Sequence, residues 1–322
     1  MSTPSYKEIW QIAGPIMLSL LAQNIVGVTD TAFLGRVGEI ELGASAIGGV
    51  FYLIIFMVTF GFATGVQILV ARRYGEKNYT AIGRIFDNSF YFIGLFSITI
   101  SVTIFFFGPS FLKLFLTSDA ICQASSVFLK FRVLGLFFAS SALLFRSFYT
   151  GISFTKYLTI SSVIMAVLNI LLDYLLIFGH GGFPKMGIQG AAIASSVSEA
   201  AALLFFILIT FENSRLRKYK LFRLVKPDLT IIRKTLETSI FVMILFILSF
   251  GSWFVFFMIV EKMGERPLAV SNIIRSIYIF MMIPGWALGS VASTLVSSAM
   301  GEGKPENVMP IIYKIVKFST GC

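Results

Sequence analysis

The sequence predicts an all-α integral membrane protein built from two related lobes, the second of them incomplete. Three observations carry that prediction. Hydrophobic residues make up 57% of the chain and charged residues 13%, where soluble domains hold about 25% charged residues; mean hydropathy is +0.87. The apolar residues gather into long runs that do not alternate in polarity, which selects helices over the strands of a closed barrel. The chain from about Lys226 also repeats the layout of its own beginning. Gly38-Glu39 returns as Gly264-Glu265 and Gly75-Glu76 as Gly301-Glu302, both 226 residues later (264 − 38 = 301 − 75). A long-period repeat in an apolar chain is the pattern of a transporter made of two similar halves.

A helix needs about 20 mostly apolar residues to cross a bilayer. Such runs lie near 10–34, 45–71, 89–107, 127–149, 157–178, 188–211, 239–260 and 269–299, and a ninth begins near Val308. Residues 1–211 then form an N-lobe of six spans. Residues 212–238 are a basic linker, and 239–322 a partial C-lobe with spans seven, eight and the start of nine. On this reading the chain is truncated, and a complete second copy would end near residue 452, about 2 × 226.

The basic residues set the orientation. Arg72, Arg73, Lys77 and Arg84 follow span two, Arg146 and Lys156 follow span four, and Arg215, Arg217, Lys218, Lys220, Arg223, Lys226, Arg233 and Lys234 follow span six. The opposite loops carry few or mixed charges. By the positive-inside rule the N-terminus and the linker are cytoplasmic. The same rule explains the formal charge of +10 without a nucleic-acid partner. One histidine, His180, in a Gly-rich loop and two cysteines leave no basis for a zinc site, a disulfide framework or a nucleophile–base pair of an enzyme.

Ionisable side chains inside a span are functional candidates by default. Asp30 lies five residues before Gly35 at the end of span one, and Asp173 six before Gly179 at the end of span five. Both spans run the same way, so the two acids are expected at similar depth in the outer half of one lobe. Asn169 stands one turn from Asp173 on the same helix face, and Gln23 and Asn24 add amides lower on span one. Burial disfavours the charged form of a carboxyl, so such a pair can take up a proton; two carboxylates with amide oxygens can equally hold Na⁺. The bland alternative is a set of polar interhelical contacts. Pro15 kinks span one or lets it bend. Glu199, midway along span six, either lines the cavity or pairs with an arginine. Arg275 binds an anionic group or snorkels, and Lys130 and Arg132 are expected at the interface.

Taken in order and spacing, several stretches resemble the multidrug and toxic compound extrusion (MATE) transporters, closest to their DNA-damage-inducible-protein-F-like branch. They are Gln23-Asn24 through Asp30 to Gly35-Arg36-Val37-Gly38, Ala71-Arg72-Arg73-Tyr74-Gly75, Arg146 to Gly151, Asn169-Ile170-Leu171-Leu172-Asp173 with Ile177-Phe178-Gly179, and Gly187-Ile188-Gln189-Gly190-Ala191-Ala192. The resemblance implies twelve helices in two lobes, no organic cofactor, and export of amphipathic or cationic small molecules. That export would be driven by inward H⁺ or Na⁺ flow across the bacterial inner membrane. It implies a cation site at Asp30, Asn169 and Asp173 and a bend at Pro15. The hydroxyl of that site falls near Ala191, with Ser195 a turn away. It implies no acid site in span seven, which has no carboxylate between 239 and 260. The lipid bilayer is the expected surrounding and the monomer the expected state. The alternative within the wider superfamily is a flippase for lipid-linked sugars, which calls for a cationic cavity.

Overall fold

A computed structural model describes residues 4–114, 116, 118–223, 226–262 and 265–320. Gly264 of the repeated loop and the side chain of Arg275 lie outside the described residues. Ten α-helices follow one another: α1 (Tyr6–Val37), α2 (Glu39–Gly75), α3 (Tyr79–Lys113), α4 (Asp119–Leu134), α5 (Leu136–Gly151), α6 (Lys156–Phe178), α7 (Ile188–Glu212), α8 (Leu229–Lys262), α9 (Glu265–Gly301) and α10 (Val308–Ser319). No strand occurs among the described residues. Among the described residues seven helices are long and apolar enough to cross a membrane, eight if the pair α4 and α5 counts as one span. The chain is a multi-pass membrane protein.

The caps follow the local sequence. Ser5 accepts from the Glu8 amide while Glu8 returns a bond to the Ser5 amide, a reciprocal capping box. Asn78 caps α3 and Ser118 caps α4 through their side chains. Gly179 ends α6 with a φ of 77°, a left-handed geometry that glycine adopts without strain.

The expected fourth span is two helices, bent by 48° at Gly135. That bend alters the place of two arginines. Arg146, expected in the loop after span four, lies within α5, five residues short of its end. Arg132, expected at the interface, lies near the end of α4 with only 13% of its side chain exposed.

The linker is tied down. Residues Ser214–Tyr219 form a 3-10 helix. The Asp87 carboxylate on α3 accepts from the Phe222 and Arg223 amides at 2.8 and 3.2 Å, and Asn88 accepts from the Asp228 amide at 2.6 Å. Helix α8 begins at Leu229, so the last third of the expected linker segment is helical.

The internal repeat is visible in the elements. Helix α9 spans the bounds of α2 shifted by 226 (39 to 265 and 75 to 301). The two copies meet where their ends cross. A methyl group on Gly75 would overlap the carbonyl oxygen of Ser298, and one on Gly301 would overlap that of Arg72. Since 298 is 72 plus 226 and 301 is 75 plus 226, the contact is reciprocal, as a two-fold relation between lobes requires. Further contacts between lobes fall in the same half of α2. The Gln67 amide donates to Ser290 and Thr294 at 2.9–3.1 Å, Ser239 donates to the Phe62 carbonyl at 3.2 Å, and Phe60 packs edge-on against Phe246. The largest apolar core, around Phe86, Phe145, Phe148, Tyr149 and Phe206, lies in this half and extends to Ala287, Leu288 and Val291 of α9.

Candidate cation site in the N-lobe

Helices α1 and α6 start from the same end of the bundle and run side by side in one register. The Thr155 hydroxyl donates to the Ile12 carbonyl at 3.1 Å and Thr159 to that of Pro15 at 2.9 Å, and Ser19 and Ser162 share a hydrogen bond of 2.6 Å. The partners differ in number by 143 or 144 throughout (155 − 12, 159 − 15, 162 − 19). Asp30 and Asp173 differ by the same 143, so the register delivers the two acids to one level. Their carboxyl groups are close enough to interact.

Among the predicted site residues, the structure brings Asp30, Asn169 and Asp173 together. Asp173 and Asn169 are buried at 0% and 1% exposure. Four buried oxygens find no donor from the protein: Asp30 Oδ1, Asn169 Oδ1, and Asp173 Oδ1 and Oδ2. Most buried polar atoms in folded proteins are satisfied, and all four of these are acceptors. They fit a proton or a small hard cation, which supplies what acceptors lack. Among the described residues no three His, Cys, Asp or Glu gather around a metal, so a bound ion would draw on the Asn169 amide oxygen beside the two acids. The Asn169 amide nitrogen points the other way and reaches Ser195 Oγ at 3.5 Å, the outer limit of a hydrogen bond. Ala191, where the resemblance places the hydroxyl, is buried and offers none.

The remaining candidates sit elsewhere. The Gln23 and Asn24 amides each donate at 3.1 Å to a carbonyl of their own helix, at Ser19 and Leu20. Pro15 lacks an amide proton, so the Gln11 carbonyl four residues back has no helical partner. The Thr155 hydroxyl, whose shorter bond goes to Ile12, also comes within 3.4 Å of it. Glu199 takes the second of its two expected roles. It forms a bidentate pair with Arg132, at 2.8 and 2.5 Å. Arg132 in turn lies over the Tyr52 ring, 3.9 Å from its centroid.

Two residues that the sequence reading set outside the lobe interior, Arg132 and Arg146, therefore belong to it. Arg132 stands thirteen residues into α4 and Glu199 eleven into α7 (132 − 119 and 199 − 188), so opposite charges at matching depth were a usable signal. Arg146 donates to Ser162 Oγ at 2.9 Å and to Ser19 Oγ at 2.6 Å. Its signal was hidden by the assumption that a charge next to an apolar run marks a loop.

Residues 15–175 and 239–322 match the MatE family. The chain is 25% identical over 318 residues to "Probable multidrug resistance protein NorM" of Agrobacterium fabrum, covering 98% of this chain and 68% of that protein. It is 26% identical over 315 residues to the protein of the same name from Thermotoga maritima, covering 95% and 66%. It thus spans about two thirds of the length of these relatives. Among solved structures, the outward-facing conformation of a multidrug resistance MATE family transporter of the MOP superfamily superposes with a TM-score of 0.87. That match has 19% identity and covers 97% of this chain and 68% of that one. The paired acids and the two-lobed repeat lie on the fold of these proteins, and the chain belongs to the MatE family of membrane transporters, which are not enzymes.

Proposed function

We propose that the protein is a secondary antiporter that exports amphipathic, often cationic, small molecules in exchange for inward H⁺ or Na⁺. Its place is the bacterial cytoplasmic membrane, with the basic end of the bundle and the N-terminus inside. The observation that carries this reading is the cluster of four donor-less oxygens on Asp30, Asn169 and Asp173. An ion entering from the outer end neutralises charge between α1 and α6 and changes which packing of those helices is favoured. A ligand shifts a conformational equilibrium only through such a difference in affinity between its states. Substrate then leaves as the lobes rock against each other about their two-fold relation.

The flippase reading needs an interior rich in cations. With Arg132 and Arg146 placed inside, the N-lobe interior holds two arginines against three acids, Asp30, Asp173 and Glu199. One arginine is already neutralised by Glu199. The balance stays acidic and favours the antiporter.

The test is gradient-driven efflux by the full-length protein carrying Asp30→Asn or Asp173→Asn. Each change is expected to abolish efflux with expression unaltered. Efflux retained at the unsubstituted rate by either variant removes the assigned site.

A further inference from the structure

The N-lobe interior holds polar groups at three successive levels along its helices. At the outer level stand Asp30, Asp173 and Asn169. The Arg132–Glu199 pair, with Tyr52, forms a neutral middle level. It is joined to the outer one through α7, where Ser195 and Glu199 lie one turn apart on the same face. At the inner level stands Arg146.

Two features set this last level apart. The first is its alignment. Asp30 is eleven residues above Ser19 and Asp173 eleven above Ser162 (30 − 19 = 173 − 162). Eleven residues are three helical turns, so the hydroxyls that hold Arg146 and the acids above them lie on the same faces of the same two helices, about 16 Å apart. The second is its charge. Among the described residues, Arg146 is held by neutral hydroxyls alone, and no carboxylate forms an ion pair with it. A guanidinium is a cation at any physiological pH.

We infer that Arg146, clamped by Ser19 and Ser162, is an electrostatic stop that keeps cations bound at the acid pair from crossing the N-lobe to the basic end. A fixed arginine in a narrow polar passage excludes protons and cations in other membrane proteins by the same physics. The inference rests on the antiporter reading and adds its sidedness. The two acids attract an ion from one face, and the positive charge three turns below closes the direct route. The only exit left is the one opened by movement of the lobes, and exchange without that movement would waste the gradient. Arg146 is therefore a positioning residue for ion traffic and touches neither ion nor substrate.

The test uses the full chain in liposomes loaded with a pH-sensitive dye, with no drug present and a potassium diffusion potential driving protons inward. Arg146→Gln keeps an amide that can bond the two serines and removes the charge. It is expected to raise passive proton influx roughly tenfold, since the barrier lost is that of a fixed arginine in a passage. Arg146→Lys, which keeps the charge, is expected to stay as tight as the unsubstituted chain. Adding Asp30→Asn to Arg146→Gln should return the flux to the unsubstituted level, because the leak runs through the acids. Circular dichroism and size-exclusion elution establish that each variant is folded, and Arg146→Met is read in the same way if Arg146→Gln is not recovered. A folded, charge-free variant as tight as the unsubstituted chain overturns the inference, and so does a leak that ignores Asp30→Asn. Neither result touches the antiporter reading, which falls only if the acid variants keep gradient-driven efflux.

Discussion

Buried charges at single positions make the sharpest claims about this protein. The side chains of Arg132 and Glu199 are only 13% and 15% exposed and hold each other at 2.5 Å. Removing one partner of such a pair strands the other, at a cost of about 3–5 kcal/mol. Arg132→Gln and Glu199→Gln are each expected to lower the thermal midpoint sharply. Arg132→Met combined with Glu199→Leu should recover most of the loss, measured on detergent-solubilised protein. Recovery no better than the worse single variant would mean that the pair does more than neutralise itself. The acids at Asp30 and Asp173 were legible in the sequence because a carboxylate within an apolar run has few innocent explanations. The arginines were not. Long basic side chains near span ends usually snorkel, and only the three-dimensional partners, Glu199 for Arg132 and two serine hydroxyls for Arg146, show that these do not.

At the level of the helix, α1 is two different objects. Its first half is bolted to α6 by Thr155, Thr159 and the Ser19–Ser162 bond. Pro15 lies inside this braced stretch, and the Gln11 carbonyl it leaves without a helical partner shares the Thr155 hydroxyl with Ile12. The second half has another chemistry. Gln23, Asn24, Thr29 and Thr31 each bond back to the carbonyl four residues earlier, so these polar side chains turn onto their own helix, and for the two threonines such bonding favours a bend. Beyond Ser19, the two acids aside, no hydrogen bond between α1 and α6 is found among the described residues. Pro15→Ala is expected to leave efflux within about twofold and to change stability by less than about 1 kcal/mol. Proline costs a helix interior more than that, but here bonds to α6 brace the helix on both sides of it. Loss of efflux in a folded Pro15→Ala protein would put the bend back at the proline. The sequence disclosed the helices well, since nearly every apolar run of about 20 residues became one. It concealed the break at Gly135, because a glycine between Leu134 and Leu136 leaves hydropathy unbroken while the chain turns by 48°.

At the scale of the molecule, the repeat of 226 residues was readable from loop spacing alone, and α2 and α9 bear it out with matching bounds. The spacing gave no hint of where the copies touch. Contact depends on Gly75 and Gly301, whose missing side chains let each helix lie against the other's backbone. Gly75→Ala and Gly301→Ala each set a methyl group against a carbonyl oxygen on a neighbouring backbone, which cannot rotate aside. Each is expected to destabilise the chain by about 1–3 kcal/mol, the usual cost of overpacking, read as a lowered thermal midpoint. By the two-fold relation the two losses should be similar. A pair of wild-type midpoints would show that the crossing is looser than these backbones indicate.

That crossing also fixes the leverage of the assembly. If the glycines served as a fulcrum at the basic rim, α2 would be a beam of some thirty-six residues (75 − 39), about 54 Å from pivot to far tip at 1.5 Å per residue. A tilt of about 10° at the pivot sweeps that tip through about 9 Å, while the glycines themselves barely part. Were the lobes to rock about this crossing, the far ends of the helices would part by that sweep while the crossing itself stayed closed.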